Sequence, residues 1–192
     1  SESDWNNGGA NEFGTDPFTI EFWFRNEGST AGKSLISKGG YPMGATWTEG
    51  WDMAVEGVSG TNGKIQIQHT NSSPTKDFAL IMDSTVDFGA DTTWKHIAVS
   101  RESTSLMYIY IDGVNQASTF TTGSAATSFT GGTQNMALGG FYDLSGAAPY
   151  WMDGYLDELR ISDNCRYPGG TTFTPGTTVT ASATGTALGT TN

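Results

Sequence analysis

Acid–base or nucleophilic chemistry in this chain of 192 residues has few side chains to draw on: two histidines, one cysteine, and 20 acidic residues against nine basic ones. His69 and His96 fall in different β-patterned runs, and His96 shares a strand face with Trp94 and Ala98. Each histidine therefore reads as a hydrogen-bonded strand residue rather than a base or a zinc ligand. Cys165 is alone, which excludes an intrachain disulfide and a cysteine metal cage. The closest acidic grouping is Asp153, Asp157 and Glu158. Cleaving a glycosidic bond takes two carboxylates facing one cleft, whereas the adjacent Asp157 and Glu158 point to opposite faces of a strand. Asp157 shares parity with Leu159 and Ile161, which puts it at the inner edge of its strand, satisfied by backbone N–H groups and hydroxyls. With no catalytic constellation, the chain reads as a non-enzyme.

What the sequence concentrates instead is aromatic side chains in two loops. Segment 41–51 carries Tyr41, Trp47 and Trp51, and segment 141–151 carries Phe141, Tyr142, Tyr150 and Trp151. A sugar ring lies on an aromatic face while carboxylates and amides bond its hydroxyls. The same aromatics are what a protein interface gathers at its centre. Three readings stand for these loops: minor cores folded over the ends of the fold, subunit contact, and glycan contact. Tyr41, Trp47, Tyr142, Asp143 and Tyr150 are the candidate residues for binding a ligand or partner. Trp51 and Trp151 open strands and are expected to pack.

The elements that position these loops follow from a period of two. In Phe18-Thr19-Ile20-Glu21-Phe22-Trp23-Phe24 the apolar set Phe18, Ile20, Phe22 and Phe24 falls on one face and Thr19, Glu21 and Trp23 on the other, the signature of a strand with one buried face. Further strands are predicted at Ser34–Lys38, Trp51–Val55, Lys64–His69, Phe78–Met82, Trp94–Arg101, Leu106–Ile111, Val114–Ser118, Met136–Leu138 and Tyr155–Ser162. Asp112-Gly113 between two β-rich runs is a hairpin signal, because both positions tolerate positive φ. No helix longer than a turn is indicated. Short strands about ten residues apart without crossover helices predict an all-β, antiparallel two-sheet β-sandwich of the jelly-roll type. The domain is expected over residues 1–176, with an irregular segment at 1–15, and 177–192 is a Thr/Ala/Gly-rich tail or assembly arm without charge or aromatics.

Composition removes other classes. There are 26 glycines, about twice the usual share, and charged residues are 15% against roughly a quarter in soluble proteins. A formal net charge of −11 gives no electrostatic footprint for nucleic acid or for anionic membrane surfaces. No run approaches a membrane helix, and the start Ser1-Glu2-Ser3-Asp4 lacks the regions of a signal peptide. With no initiator Met, the chain reads as part of something longer.

The order of five motifs carries a resemblance. Phe18–Phe24, then Leu35-Ile36-Ser37-Lys38-Gly39, Trp94–Arg101, Tyr108–Gly113, and Gly154–Ser162 together resemble the laminin G-like branch of the concanavalin A-like lectin/glucanase superfamily, from about Asp16 to Pro175. The ending Arg160–Tyr167, followed by Phe173-Thr174-Pro175, resembles the version found in tailed-phage virion proteins such as tail fibres and capsid decorations. That resemblance implies a concanavalin A-like fold and a structural or adhesive role on a virion surface or other extracellular assembly. The partners it implies are assembly subunits in an oligomer, with glycan attachment as the alternative. Hydrolases of the superfamily carry Glu-x-Asp-x-x-Glu on one strand, which is absent here. No cofactor is required, although some members bind a structural calcium at the position corresponding to Asp157, and Asp4 is available to complete such a shell. Family members also begin with an extra strand before Asp16, so either residues upstream are removed or a neighbouring chain supplies that strand.

Overall fold

A computed structural model describes residues 13–28, 32–39, 49–59, 62–71, 76–88, 93–131, 136–140 and 151–176. Twelve strands occur among them: β1 (Phe18–Asn26), β2 (Lys33–Lys38), β3 (Gly50–Ser59), β4 (Asn62–Thr70), β5 (Lys76–Met82), β6 (Val86–Asp87), β7 (Trp94–Ser103), β8 (Leu106–Ile111), β9 (Val114–Gln116), β10 (Ser118–Thr122), β11 (Met136–Leu138) and β12 (Gly154–Ser162). The single helical turn described is Pro168–Gly170. One sheet has five strands in the order β12-β1-β7-β8-β9. The other has seven, β10-β5-β4-β3-β2-β11 with β6 paired to β4. All pairings are antiparallel. The expected all-β sandwich is what the chain forms.

Alternation explains the core. Phe18, Ile20, Phe22 and Phe24 meet Ile97, Val99, Ile109 and, across the gap, Met53, Val55, Ile65, Ile67, Phe78 and Leu80, all buried. Fully burying the four β1 side chains alone contributes roughly 6–12 kcal/mol before chain entropy is subtracted.

The structure departs from simple alternation in three places. Strand β1 buries both faces over its first half, with Thr19 and Glu21 as inaccessible as the core, because residues 163–176 run across its outer side there as a strap. Arg166 N–H donates to Thr19 Oγ1 at 3.0 Å, and Tyr110 Oη donates to the Tyr167 carbonyl at 2.8 Å. The run predicted as Val114–Ser118 is two strands. The chain breaks at Ala117, whose carbonyl accepts Asp83 N–H at 2.8 Å, and passes from the five-stranded to the seven-stranded sheet. Asp157 is exposed rather than at an inner edge. Between the pairs Glu21↔Arg160 and Trp23↔Asp157 two residues of β12 oppose one of β1, a bulge with Glu158 at φ 51°. A bulge inverts the parity count beyond it, so Leu156 and not Asp157 packs inward.

Candidate functional site

Tyr41, Trp47, Tyr142, Asp143, Tyr150 and Asp4 lie outside the described residues. The roots of the two aromatic loops are described, and β2 carries both. Segment 40–48 leaves from Gly39 and returns at Glu49 and Gly50. Those two glycines touch: a Cβ on Gly50 would stand 2.2 Å from the Lys38 carbonyl oxygen and 2.6 Å from Gly39 Cα. Both obstacles are backbone, so Gly50→Ala is expected to cost about 2 kcal/mol or more in a denaturant titration. Glu49, at the same root, accepts a hydrogen bond from Thr130 Oγ1.

Thr130 ties this root to His69. Nδ1 of His69 lies 2.6 Å from Asp77 Oδ1, and its Nε2 lies 3.0 Å from Thr130 Oγ1. The order Asp–His–Thr has the look of a nucleophile and its base. Here, however, Nε2 accepts the backbone N–H of Thr130 at 3.1 Å, and the Thr130 hydroxyl proton goes to Glu49. A base must accept the proton of its own nucleophile, so this arrangement braces the loop root.

The second loop is rooted two residues further back on β2. The Gly140 carbonyl accepts Ser37 Oγ at 3.0 Å, and Ser34 Oγ lies 3.3 Å from it with its proton on Asp52. Gly139 N–H donates to the Leu35 carbonyl, and Met152 N–H to the Gly139 carbonyl. The Trp151 ring covers Gly140, where a Cβ would come within 2.2 Å of Cε3. Contrary to expectation Trp151 is 54% exposed, because its support is this glycine rather than the core, whereas Trp51 is buried as expected.

Beneath these roots the outer face of the seven-stranded sheet carries a buried polar row. Register places Asp52 opposite Ser37 on one side and Gln68 on the other. Its carboxylate accepts Ser34 Oγ at 2.5 Å and Gln68 Nε2 at 3.2 Å, while Gln68 Oε1 has no partner. Burial pushes the Asp52 carboxyl up to about 7 in spite of both hydrogen bonds and the charge of Lys76. Perturbed carboxyls of this kind collect where a surface is built for something other than stability.

The outer face of the five-stranded sheet holds a second polar cluster around Glu21. Arg166 Nε lies 2.8 Å from Glu21 Oε1 and Arg160 Nη1 3.6 Å, His96 Nε2 lies 3.4 Å from Oε2, and the Tyr167 hydroxyl donates to Oε2. Burial alone would raise the Glu21 carboxyl, but the hydrogen bonds from His96 and Tyr167 and the charge of Arg166 outweigh it and leave it low. Burial and the Glu21 carboxylate push Tyr167 up to about 12. Along the same face the Arg25 guanidinium sits between the Trp94 ring, 5.5 Å away, and the Tyr155 ring, 4.4 Å away. Asp157 Oδ1 accepts the Glu158 N–H at 2.8 Å, and among the described residues no three His, Cys, Asp or Glu side chains come together.

Sequence reasoning missed Asp52, Ser34, Gln68, Glu21 and Arg160. A faint signal existed for the first, an acidic residue between Trp51 and Met53 in an otherwise apolar strand centre.

A family model described as the concanavalin A-like lectin/glucanases superfamily matches residues 2–168. No curated protein sequence matches the chain. Among solved structures, one is provisionally described as a carbohydrate-binding protein from Bacteroides ovatus, with 14% identity and a TM-score of 0.46, covering 80% of this chain and 39% of its own. Another is the binding domain of botulinum neurotoxin serotype G, with 13% identity and a TM-score of 0.47, covering 80% and 34%. The chain thus spans little more than a third of the length of either.

Proposed function

Since the chain belongs to the concanavalin A-like lectin/glucanase superfamily, we propose that it is a non-enzymatic glycan-binding β-sandwich, displayed outside a cell or on a virion. The observation that supports this reading is the common footing of the two aromatic loops. Both are rooted on β2, one at Gly39 and one against Ser34 and Ser37. Aromatics from two loops on one strand can act on a single ligand, with rings under its C–H faces and loop amides and carboxylates on its hydroxyls. The experiment is a glycan array probed with wild type and Trp47→Ala, with and without calcium, the cation for which Asp157 and Asp4 are the candidate ligands. Binding to a restricted set of glycans, lost on Trp47→Ala, is the expected result. An array with no binding in either condition would refute the reading.

A second reading, subunit contact in a virion or other extracellular assembly, is favoured by one observation. Trp94, Arg25 and Tyr155 form a solvent-facing row of the three residue types that dominate interface hot spots, with Trp94 36% and Tyr155 48% exposed. On this reading the purified domain self-associates, and Tyr155→Ser shifts its sedimentation toward monomer. A wild type that is monomeric at all concentrations argues against self-assembly through this row.

A further inference from the structure

We propose that the cleft between the five-stranded sheet and the C-terminal strap is a separate ligand site, built for one ring of a neutral polyhydroxylated molecule such as a pyranose. The proposal shares the saccharide class with the reading above but depends on none of its loops. The cleft encloses about 250 Å³, floored by Glu21, Trp23, His96 and Arg160 and walled by Phe173 and Thr174 of the strap. That is below the range of drug-sized pockets and suits a single ring.

The lining chemistry selects among small ligands. Of its formally charged groups, Glu21 and Glu158 are balanced by Arg160 and Arg166, so the cleft offers neither an anion nor a cation a net opposite charge. It offers donors and acceptors side by side against the Trp23 and Phe173 rings. Two defects sharpen this. Arg166 Nε and Glu21 Oε1 lie 2.8 Å apart but are misaligned, so the donor and the acceptor are both buried without a hydrogen bond. His96, with Nε2 turned to Glu21, keeps a buried Nδ1 that has no partner either. A buried polar atom without a partner destabilises the fold, and this cluster holds three. A hydroxyl both donates and accepts, so one inserted beside Arg166 satisfies the first pair at once, and a neighbouring hydroxyl can donate to His96. Carboxylates, which only accept, and quaternary ammonium groups, which do neither, leave orphans behind. Arg166, 21% exposed on the strap, is the side chain that must move to admit the ligand.

Trp23 reports on the cleft directly, since its indole N–H donates to the Gly176 carbonyl at the rim, 3.3 Å away. The test follows that indole resonance by ¹H–¹⁵N NMR while methyl β-glucopyranoside, methyl β-galactopyranoside or methyl α-mannopyranoside is added. Sodium acetate and tetramethylammonium chloride serve as ionic counter-probes. A saturable shift with at least one glycoside is expected, weakened at least tenfold by Thr174→Trp, which fills the cleft from an exposed position. Thr174→Leu, a milder filler, should give an intermediate loss, and the dispersion of the spectra verifies folding of both. No saturable Trp23 shift, a shift untouched by Thr174→Trp, or saturation by acetate or tetramethylammonium alone would overturn the proposal. Saturable shifts at the Trp47 indole with none at Trp23 would overturn it while leaving the loop reading intact.

Discussion

Arg101→Met should be among the most damaging single substitutions in this domain, lowering unfolding free energy by roughly 3–5 kcal/mol, because it removes a charged donor from four carbonyls and leaves the buried ones without a partner. Arg101 is fully buried. Its Nε donates to the Asp16 carbonyl at 2.8 Å, Nη1 to Thr127 at 3.0 Å, and Nη2 to Phe13 at 3.2 Å and Gly14 at 2.7 Å. The guanidinium also lies over the Phe18 and Phe129 rings. One side chain thus pins the entry of the chain into β1 to the segment after β10, where Gly14 and Phe129 exchange backbone hydrogen bonds. Met fills much of the volume but leaves four carbonyls without their donors. Arg101→Lys keeps the charge without the fork, and should recover only part of the loss. Burial already draws the guanidinium down to about 10, against the pull of Asp16. A guanidinium-chloride midpoint for Arg101→Met within about 0.5 kcal/mol of wild type, the range of ordinary surface substitutions, would contradict this account.

Asp52→Asn is expected to become progressively more stable relative to wild type as pH rises, with a total swing of about 4 kcal/mol. The sign follows from the direction of the shift. Burial raises the folded carboxyl from 3.8 to about 7, so the folded state holds a proton that the unfolded chain has already released. Stability therefore falls between about pH 4 and pH 7, by about 1.4 kcal/mol per unit, and is flat above. Asn is neutral throughout and lacks this slope. The surroundings suit a neutral residue: the buried Gln68 Oε1 beside Asp52 is an acceptor with no partner, and a carboxylic acid or an amide carries a donor that a carboxylate lacks. Subtracting the Asn profile from the wild-type profile removes the opposing contribution of Glu21, whose carboxyl is held low and destabilises only in acid. Two parallel denaturation profiles from pH 5 to pH 8 would mean that Asp52 is solvated.

How much was legible in the sequence depends on what each residue answers to. Phe18 to Phe24, Leu106 to Ile111 and the Asp112-Gly113 turn answer to local geometry. They stand where period two and positive φ require, with φ 50° at Asp112 and 76° at Gly113. Asp157 was misplaced because parity counting assumes a regular strand, and one extra residue at Glu158 inverts it. Val114–Ser118 read as one strand because nothing in its composition marks Ala117 as the point of transfer between sheets. Glu21 falls on the polar face of its strand and Asp52 carries no reading from pattern, yet both are buried, Glu21 by a strap some 150 residues away in sequence. Burial of an outward face is decided by distant segments, and local pattern carries no trace of it. The aromatic loops were visible as composition, whereas their common root on β2 needed the pairing of β2 with both β3 and β11.

That shared root makes the sharpest demand on the account. Isothermal titration of an array-positive glycan against wild type, Trp47→Ala, Tyr150→Ala and the double variant tests whether the two loops hold one ligand. Each single substitution is expected to weaken binding roughly tenfold or more, about 1.4 kcal/mol. The double variant should lose less than the sum, because removing either ring releases the same sugar. Losses confined to one loop, or two sugars bound per chain with each substitution abolishing only one of them, would contradict a single site built on β2.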